Sequence, residues 1–210
     1  MPRPMLWLLI AAPTVVLVLV FSVLLSRGGE RQERRAEVRT SGEALVGGPF
    51  ELIDQTGATV TQETYAGKAM LIYFGYTYCP DVCPFSLQVM AAAMDQLEAD
   101  ERARIQPILI TVDAERDTYQ QMASYVSSPA FPDGLVGLTG TEEQIAAVAR
   151  AYRVVYQRAE DDGSGDYLMD HSSIIYLMDG DGAFVDVFTS GVDPRDLALR
   201  LQDFLEENPG

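Results

Sequence analysis

Nine residues narrow the choice of folds more than any other part of the chain: Tyr76-Thr-Tyr-Cys79-Pro-Asp-Val-Cys83-Pro84, which holds the only two cysteines. They follow the apolar run Ala69–Phe74, whose Ala-Met-Leu-Ile-Tyr-Phe has no polar alternation and so reads as a strand buried on both faces. Gly75 lets the chain break away. Asp81 is a favourable N-cap, and Pro84 is tolerated only in a helix's first turn. From there Cys83, Leu87, Met90, Met94 and Leu97 recur at helical spacing. The unit is strand, tight loop, helix, with Cys79 in the loop and Cys83 in the first turn. Free backbone N–H groups and the positive end of the helix dipole favour thiolate over thiol there, so both sulfurs are expected to ionise readily.

Cys79 and Cys83 are open to three readings: a structural disulfide or two inert thiols, a reversible dithiol, or a pair of metal ligands. A bridge across so few residues restrains the unfolded chain by only about 2 kcal/mol or less. That is a poor reason to spend two cysteines, two prolines and a helix start. A third ligand separates the remaining two, and the chain has a single histidine, His171, in Asp170-His-Ser-Ser-Ile-Ile-Tyr. Ser173–Met178 reads as a strand, Asp179-Gly-Asp-Gly182 as a hairpin turn and Ala183–Phe188 as the returning strand. If Ser173–Met178 runs antiparallel to Ala69–Phe74, its beginning lies where the cysteine loop emerges, and His171 faces both sulfurs. Two thiolates and one imidazole suit copper, with Cu(I) favoured by soft sulfur. A closed zinc site wants four protein ligands, and no third cysteine or second histidine exists.

Elsewhere Gly48–Gly57 holds a short strand with Ala58–Val60 as its return, and Pro107–Val112 is a second buried strand. Asp113, Glu115, Arg116 and Asp117 at its carboxyl end are expected to rim the site, as in open α/β sheets, with Asp113 holding Arg116 in an ion pair. Helices are expected over Thr118–Val126, Thr141–Tyr152 (with a Thr141/Gln144 capping box) and Val192–Glu207, and a strand over Leu135–Leu138. Arg153–Gln157 and Gly165–Met169 read as a hairpin insertion ending just before His171, whose movement would let the histidine approach or leave a metal. Asp170 is the candidate to orient the imidazole from behind. Met70, Met90 and Met94 are expected in the core, Met169 and Met178 near the histidine strand without a ligand's role, and Tyr76 and Tyr78 as shields over the loop. The whole is an α/β domain.

Met5–Leu25 carries no charge and is long enough, at about 1.5 Å per residue, to span a bilayer core of roughly 30 Å. It is long for a signal peptide, and Leu24–Gly28 lacks an Ala-x-Ala cleavage pattern. Residues 1–26 are therefore expected to be an uncleaved transmembrane anchor, 27–43 a polar tether and 44–210 the folded domain. Only Arg3 precedes the span whereas five arginines follow before Thr40, which by the positive-inside rule keeps the domain in the cytoplasm; long domains translocate despite such a bias. Beyond Thr40 nine basic residues face 28 acidic ones, a net of −19 that excludes nucleic acid as a partner.

Tyr73-Phe-Gly-Tyr-Thr-Tyr-Cys-Pro-Asp-Val-Cys-Pro84, Thr111-Val-Asp-Ala-Glu-Arg-Asp-Thr118 and Asp170-His-Ser172 together resemble the motifs of the Sco/SenC copper chaperones, in the family's order over roughly residues 45–207. Ala114 stands where the family commonly has proline, a difference confined to a loop. The resemblance implies a thioredoxin-like fold, a central mixed sheet flanked by helices, and copper, as Cu(I) or Cu(II), held by Cys79, Cys83 and His171. It implies delivery to the CuA centre in the copper-bearing subunit of cytochrome c oxidase, with another copper chaperone or a thioredoxin-like reductase as further partners. It also implies a domain on the periplasmic face of the inner membrane, or an inner-membrane protein of mitochondria in a eukaryote. Thioredoxin-like reductases carry a cis-proline before the corresponding strand; none precedes Ser173. The alternatives are a membrane-anchored thiol–disulfide oxidoreductase using Cys79 and Cys83, which has no need of His171, and a redox sensor with the same ligands. A peroxidase needs an arginine beside its cysteine, and the motif has none.

Overall fold

The computed structural model describes residues 46–159 and 167–209. The expected anchor 1–26, the expected tether 27–43 and residues 160–166 of the expected hairpin insertion lie outside the described residues, among which no helix is long and apolar enough to cross a membrane. In chain order the elements are β1 (Glu51–Asp54), β2 (Thr59–Thr61), β3 (Ala69–Gly75), α1 (Val82–Met94), α2 (Ala99–Ala103) and β4 (Ile105–Thr111). Then come α3 (Tyr119–Val126), β5 (Val136–Thr139), α4 (Glu142–Ala151), β6 (Tyr156–Arg158), β7 (Met169–His171), β8 (Ile174–Met178), β9 (Phe184–Thr189) and α5 (Pro194–Glu207).

Seven strands form one mixed sheet in the order β2-β1-β5-β4-β3-β8-β9, and β6 pairs with β7 apart from it. The apolar run of β3 is buried along its whole length because it lies between a parallel partner, β4, and an antiparallel one, β8, under helices. Helices α1 and α5 pack on each other, α3 against β5 and α4 against β1. The stripe Cys83, Leu87, Met90, Met94 and Leu97 is buried, as is Met70. Pro107 has no N–H for a ladder and stands just before the β4–β5 pairing begins at Ile108↔Val136.

The β3–β8 ladder, with Tyr73↔Ile175 and Met70↔Met178, runs antiparallel, which is the condition under which His171 faces both sulfurs. The start of β8 therefore lies at the end of β3 from which the cysteine loop leaves, and the same end receives the close of β4 through Gly75↔Thr111. The turn after β8 is closed by the Asp179 carboxylate, which accepts from the N–H groups of Asp181 and Ala183.

Helix α4 has the expected capping box at its start, Thr141 and Gln144 each satisfying the other's N–H. Its far end is a Schellman turn: Val154 N–H donates to the Ala149 carbonyl and Arg153 N–H to that of Arg150. Arg153 occupies the left-handed position there, with φ 59°, and aims the chain into β6. Arg153→Gly is expected to raise the free energy of unfolding by about 1 kcal/mol, the approximate cost of a Cβ in left-handed backbone. Urea denaturation of the two proteins measures it.

Candidate metal centre

The cysteine motif folds as strand, loop and helix, and the first turn of α1 places Cys83 fully buried beneath the loop that carries Cys79. Asp81 stands at the N-cap, but its carboxylate makes no capping bond. The cap is a sulfur: Cys79 Sγ accepts the N–H of Cys83 at 3.3 Å. Asp81 is turned out of that role because its backbone, at φ −139° and ψ −70°, lies outside the extended conformation of a usual N-cap.

Gly75 is still part of β3 and has an ordinary backbone; its lack of a side chain serves close approach. A Cβ there would lie 2.8 Å from the Tyr73 ring and 3.0 Å from Cys83 Sγ. Gly75→Ala is expected to destabilise the fold by roughly 1–3 kcal/mol through overpacking, read from chemical denaturation.

His171 arrives from β7, paired with Tyr156 of β6. The histidine is thus the last residue of the hairpin strand and not a residue beyond it. Its Nε2 lies 3.4 Å from Cys83 Sγ, and its Nδ1 lies 3.2 Å from the carbonyl oxygen of Ser172. Of the two ring nitrogens it is Nε2 that is turned toward the sulfurs, while Nδ1 faces the backbone. Asp170, the expected orienting group, is exposed on a short strand where alternation turns it away from its neighbour His171; the Ser172 carbonyl stands behind the ring instead. The ring packs edge-on to Tyr73 and Tyr76, with centroids 6.1 and 5.8 Å away. Sγ of Cys79, Sγ of Cys83 and a ring nitrogen of His171 all lie within 4.8 Å of one another.

The two sulfurs ionise in opposite directions, whereas the helix dipole alone would favour both. Cys79 is held down to about 4 by the Cys83 thiol donating to it, by His171, and by the N–H groups of Asp81 and Cys83, against the opposing effect of burial. Cys83 is pushed far up because it keeps that shared proton, is buried, and sits beside the Cys79 thiolate. In the reduced, metal-free protein the Cys79 thiolate persists above pH about 4 and is lost below it. At about pH 6 iodoacetamide is therefore expected to alkylate Cys79 and spare Cys83, and mass spectrometry of the peptides reads the selectivity.

Three further residues hold the centre. Tyr73 places its hydroxyl 3.8 Å from Cys83 Sγ; strand alternation puts it on the same face as Gly75, a signal present in the sequence. Asp117 is fully buried and accepts from the Thr77 N–H at 3.0 Å, the Thr77 hydroxyl at 2.6 Å and the Thr111 hydroxyl at 2.6 Å. It ties the cysteine loop to the end of β4, and burial raises its pKa against the pull of those hydrogen bonds. The sequence marks it only as one acid in a charged loop. Tyr76 is buried with its hydroxyl accepting the Met169 N–H, whereas Tyr78 is half exposed. Asp113 and Arg116 form the expected ion pair. Met178 pairs with Met70 at the far end of the β3–β8 ladder, and Met169 lines a side pocket with Asp113 and Arg158.

A mixed sheet flanked by helices, with a Cys-Cys-His cluster at the end of its central strands, defines a thioredoxin-like domain with three side chains grouped as metal ligands could be. A sequence model of the SCO1/SenC family matches residues 38–206, and the chain belongs to that family. It is 44% identical over 154 residues to Protein SCO1 homolog 1, mitochondrial, of Arabidopsis thaliana, covering 73% of this chain and 45% of that protein. The chain spans about half the length of the curated relatives it matches. Among solved structures it resembles Arabidopsis thaliana ScoI with copper bound, at 41% identity and a TM-score of 0.72, over 77% of this chain and 99% of that one. It likewise resembles Bradyrhizobium japonicum ScoI with copper bound, at 42% identity and a TM-score of 0.68, over 76% and 99%.

Proposed function

We propose that this chain is a copper carrier that holds the ion through the Cys79 and Cys83 thiolates and the Nε2 of His171, and delivers it to the CuA centre of cytochrome c oxidase. The observation that carries the reading is the convergence of three donor atoms within 4.8 Å, with Nε2 of the imidazole turned toward Cys83. Two soft sulfurs and one nitrogen fit Cu(I), and the copper-bound relatives support that choice of metal. Binding requires the remaining thiol proton to leave Cys83, so uptake releases one proton above the Cys79 pKa. Cys79, 8% exposed, is the outer of the two sulfurs and Cys83 is fully buried, so an incoming ligand would share the ion from the Cys79 side before His171 or a thiolate lets go. The recipient follows from the family resemblance, as does the placement of the domain on the outer side of an inner membrane behind an N-terminal anchor.

The reduced protein is expected to bind one Cu(I) in competition with a chromogenic chelator. His171→Ala should weaken it by more than about 100-fold, beyond what loss of an outer partner costs, and Cys79→Ser or Cys83→Ser should abolish it. Equal binding by parent and His171→Ala would refute the three-ligand centre.

The low pKa of Cys79 favours a second reading, thiol–disulfide exchange. The Cys79 thiolate would attack a target disulfide, Cys83 would resolve the mixed disulfide, and the target would leave as two thiols; an outside dithiol must then reduce the Cys79–Cys83 bridge. His171→Ala leaves that chemistry intact, which separates the two activities. A redox sensor would use the same bridge without a target.

A further inference from the structure

Arg116 sits beyond β4, and nothing in its spacing links it to a metal. Its guanidinium nevertheless touches both segments that bring ligands together. Nε is paired with Asp113, whose carboxylate also accepts from the Tyr167 hydroxyl at 2.8 Å. Nη1 donates to the Tyr167 carbonyl at 2.8 Å, and Cζ lies 3.6 Å from the centroid of the Tyr167 ring. Tyr167 leads into β7 and so into His171. On the other side, Cζ lies 4.6 Å from the ring of Tyr78 and 5.8 Å from that of Tyr76. Those two tyrosines are in the loop that ends in Cys79. Arg158, from β6, stacks on the same Tyr167 ring at 3.7 Å and pairs with Glu115.

The Arg116 side chain is only 15% exposed, and among the described residues its buried Nη2 has no hydrogen-bond partner. A buried ion pair is weak as a source of stability, because desolvation offsets the attraction. Cation–π contact strengthens when the cation is removed from water, and a planar guanidinium can face several rings at once. Lysine lacks both the planar face that stacks on a ring and the rigid fork that reaches the Asp113 carboxylate and the Tyr167 carbonyl together. This arrangement makes sense as a staple between two strips of chain that share no regular hydrogen-bonded ladder.

We infer that Arg116 is a positioning residue for the metal centre, fixing the His171 hairpin against the Cys79 loop through Tyr167 and Tyr78. The inference rests on the copper reading of the centre and acts through His171. Without Arg116 the two thiolates remain, but the imidazole is no longer held at ligating distance.

A double-mutant cycle on the full chain tests it, with Cu(I) affinity measured against a chromogenic chelator for the parent, Arg116→Gln, His171→Ala and both together. Arg116→Gln is expected to weaken Cu(I) binding about 10- to 100-fold, as loss of a supporting contact behind a ligand does. His171→Ala should then cost far less in that background than in the parent. Arg116→Lys keeps the charge beside Asp113 and is expected to fall short of the parent; it stands in should the Gln variant not fold. In the Cu(II) form, the nitrogen splitting that one imidazole gives in the electron paramagnetic resonance spectrum should weaken in Arg116→Gln. Unchanged affinity, or an undiminished effect of His171→Ala in the variant background, would show that Arg116 only stabilises the fold, and would overturn the inference while leaving the copper centre standing. Should His171→Ala cost nothing in the parent, the three-ligand centre falls and the inference falls with it.

Discussion

The antiparallel ladder between β3 and β8 is the constraint on which everything at the centre depends. It sets the beginning of one strand beside the end of the other, and so brings His171 to Cys83 across 88 residues of chain. The register admits no slip. A shift of one residue would turn every side chain of the pair to the other face, and the buried Ile175 and Leu177 of β8 would have to exchange places with Tyr176 and Met178. The same end of the sheet receives the close of β4, so the loop bearing Asp113, Arg116 and Asp117 falls beside the cysteine loop. Sheet topology therefore delivers the donors and the groups that brace them to one place.

At that place the electrostatics divide two chemically identical residues. Cys79 gathers hydrogen-bond donors and becomes the anion; Cys83, sealed beneath it, retains the proton. A sulfur doing the work of a helix cap explains why Asp81 need not. The imidazole is backed by a main-chain carbonyl, an uncharged group that is present whatever side chain stands at position 172.

Much of this was legible in the residues. An unbroken apolar run, a helix-tolerant proline and a hairpin signal over Asp179–Gly182 are local features, and they sufficed to place β3, α1, β8 and β9 and hence the three donors. Asp81, Asp170 and Gly75 were misread in role because each role hangs on a backbone conformation or a neighbour distant in the chain. A carboxylate adjacent to a histidine in sequence points away from it on a strand, and only the observed β7 shows that His171 is on one. Asp117 was hidden for a similar reason: its three donors come from Thr77 and Thr111, and nothing in a charged loop announces which acid goes inside. The stacking of Arg116 on Tyr78 and Tyr167 joins residues from three separate stretches, and no pattern within any one of them encodes it.

The wide separation of the donors in the chain has a thermodynamic consequence. Unfolded, the chain offers a metal only the two cysteines of one short segment, while the imidazole wanders at the end of a long flexible loop. The third donor is contributed by the native state alone. A metal gripped by all three thus favours the folded ensemble by the ratio of its affinities for the two states, and the occupancy of the centre becomes a gauge of the integrity of the sheet. Damage to a core residue remote from any sulfur would register there as weakened capture of the ion.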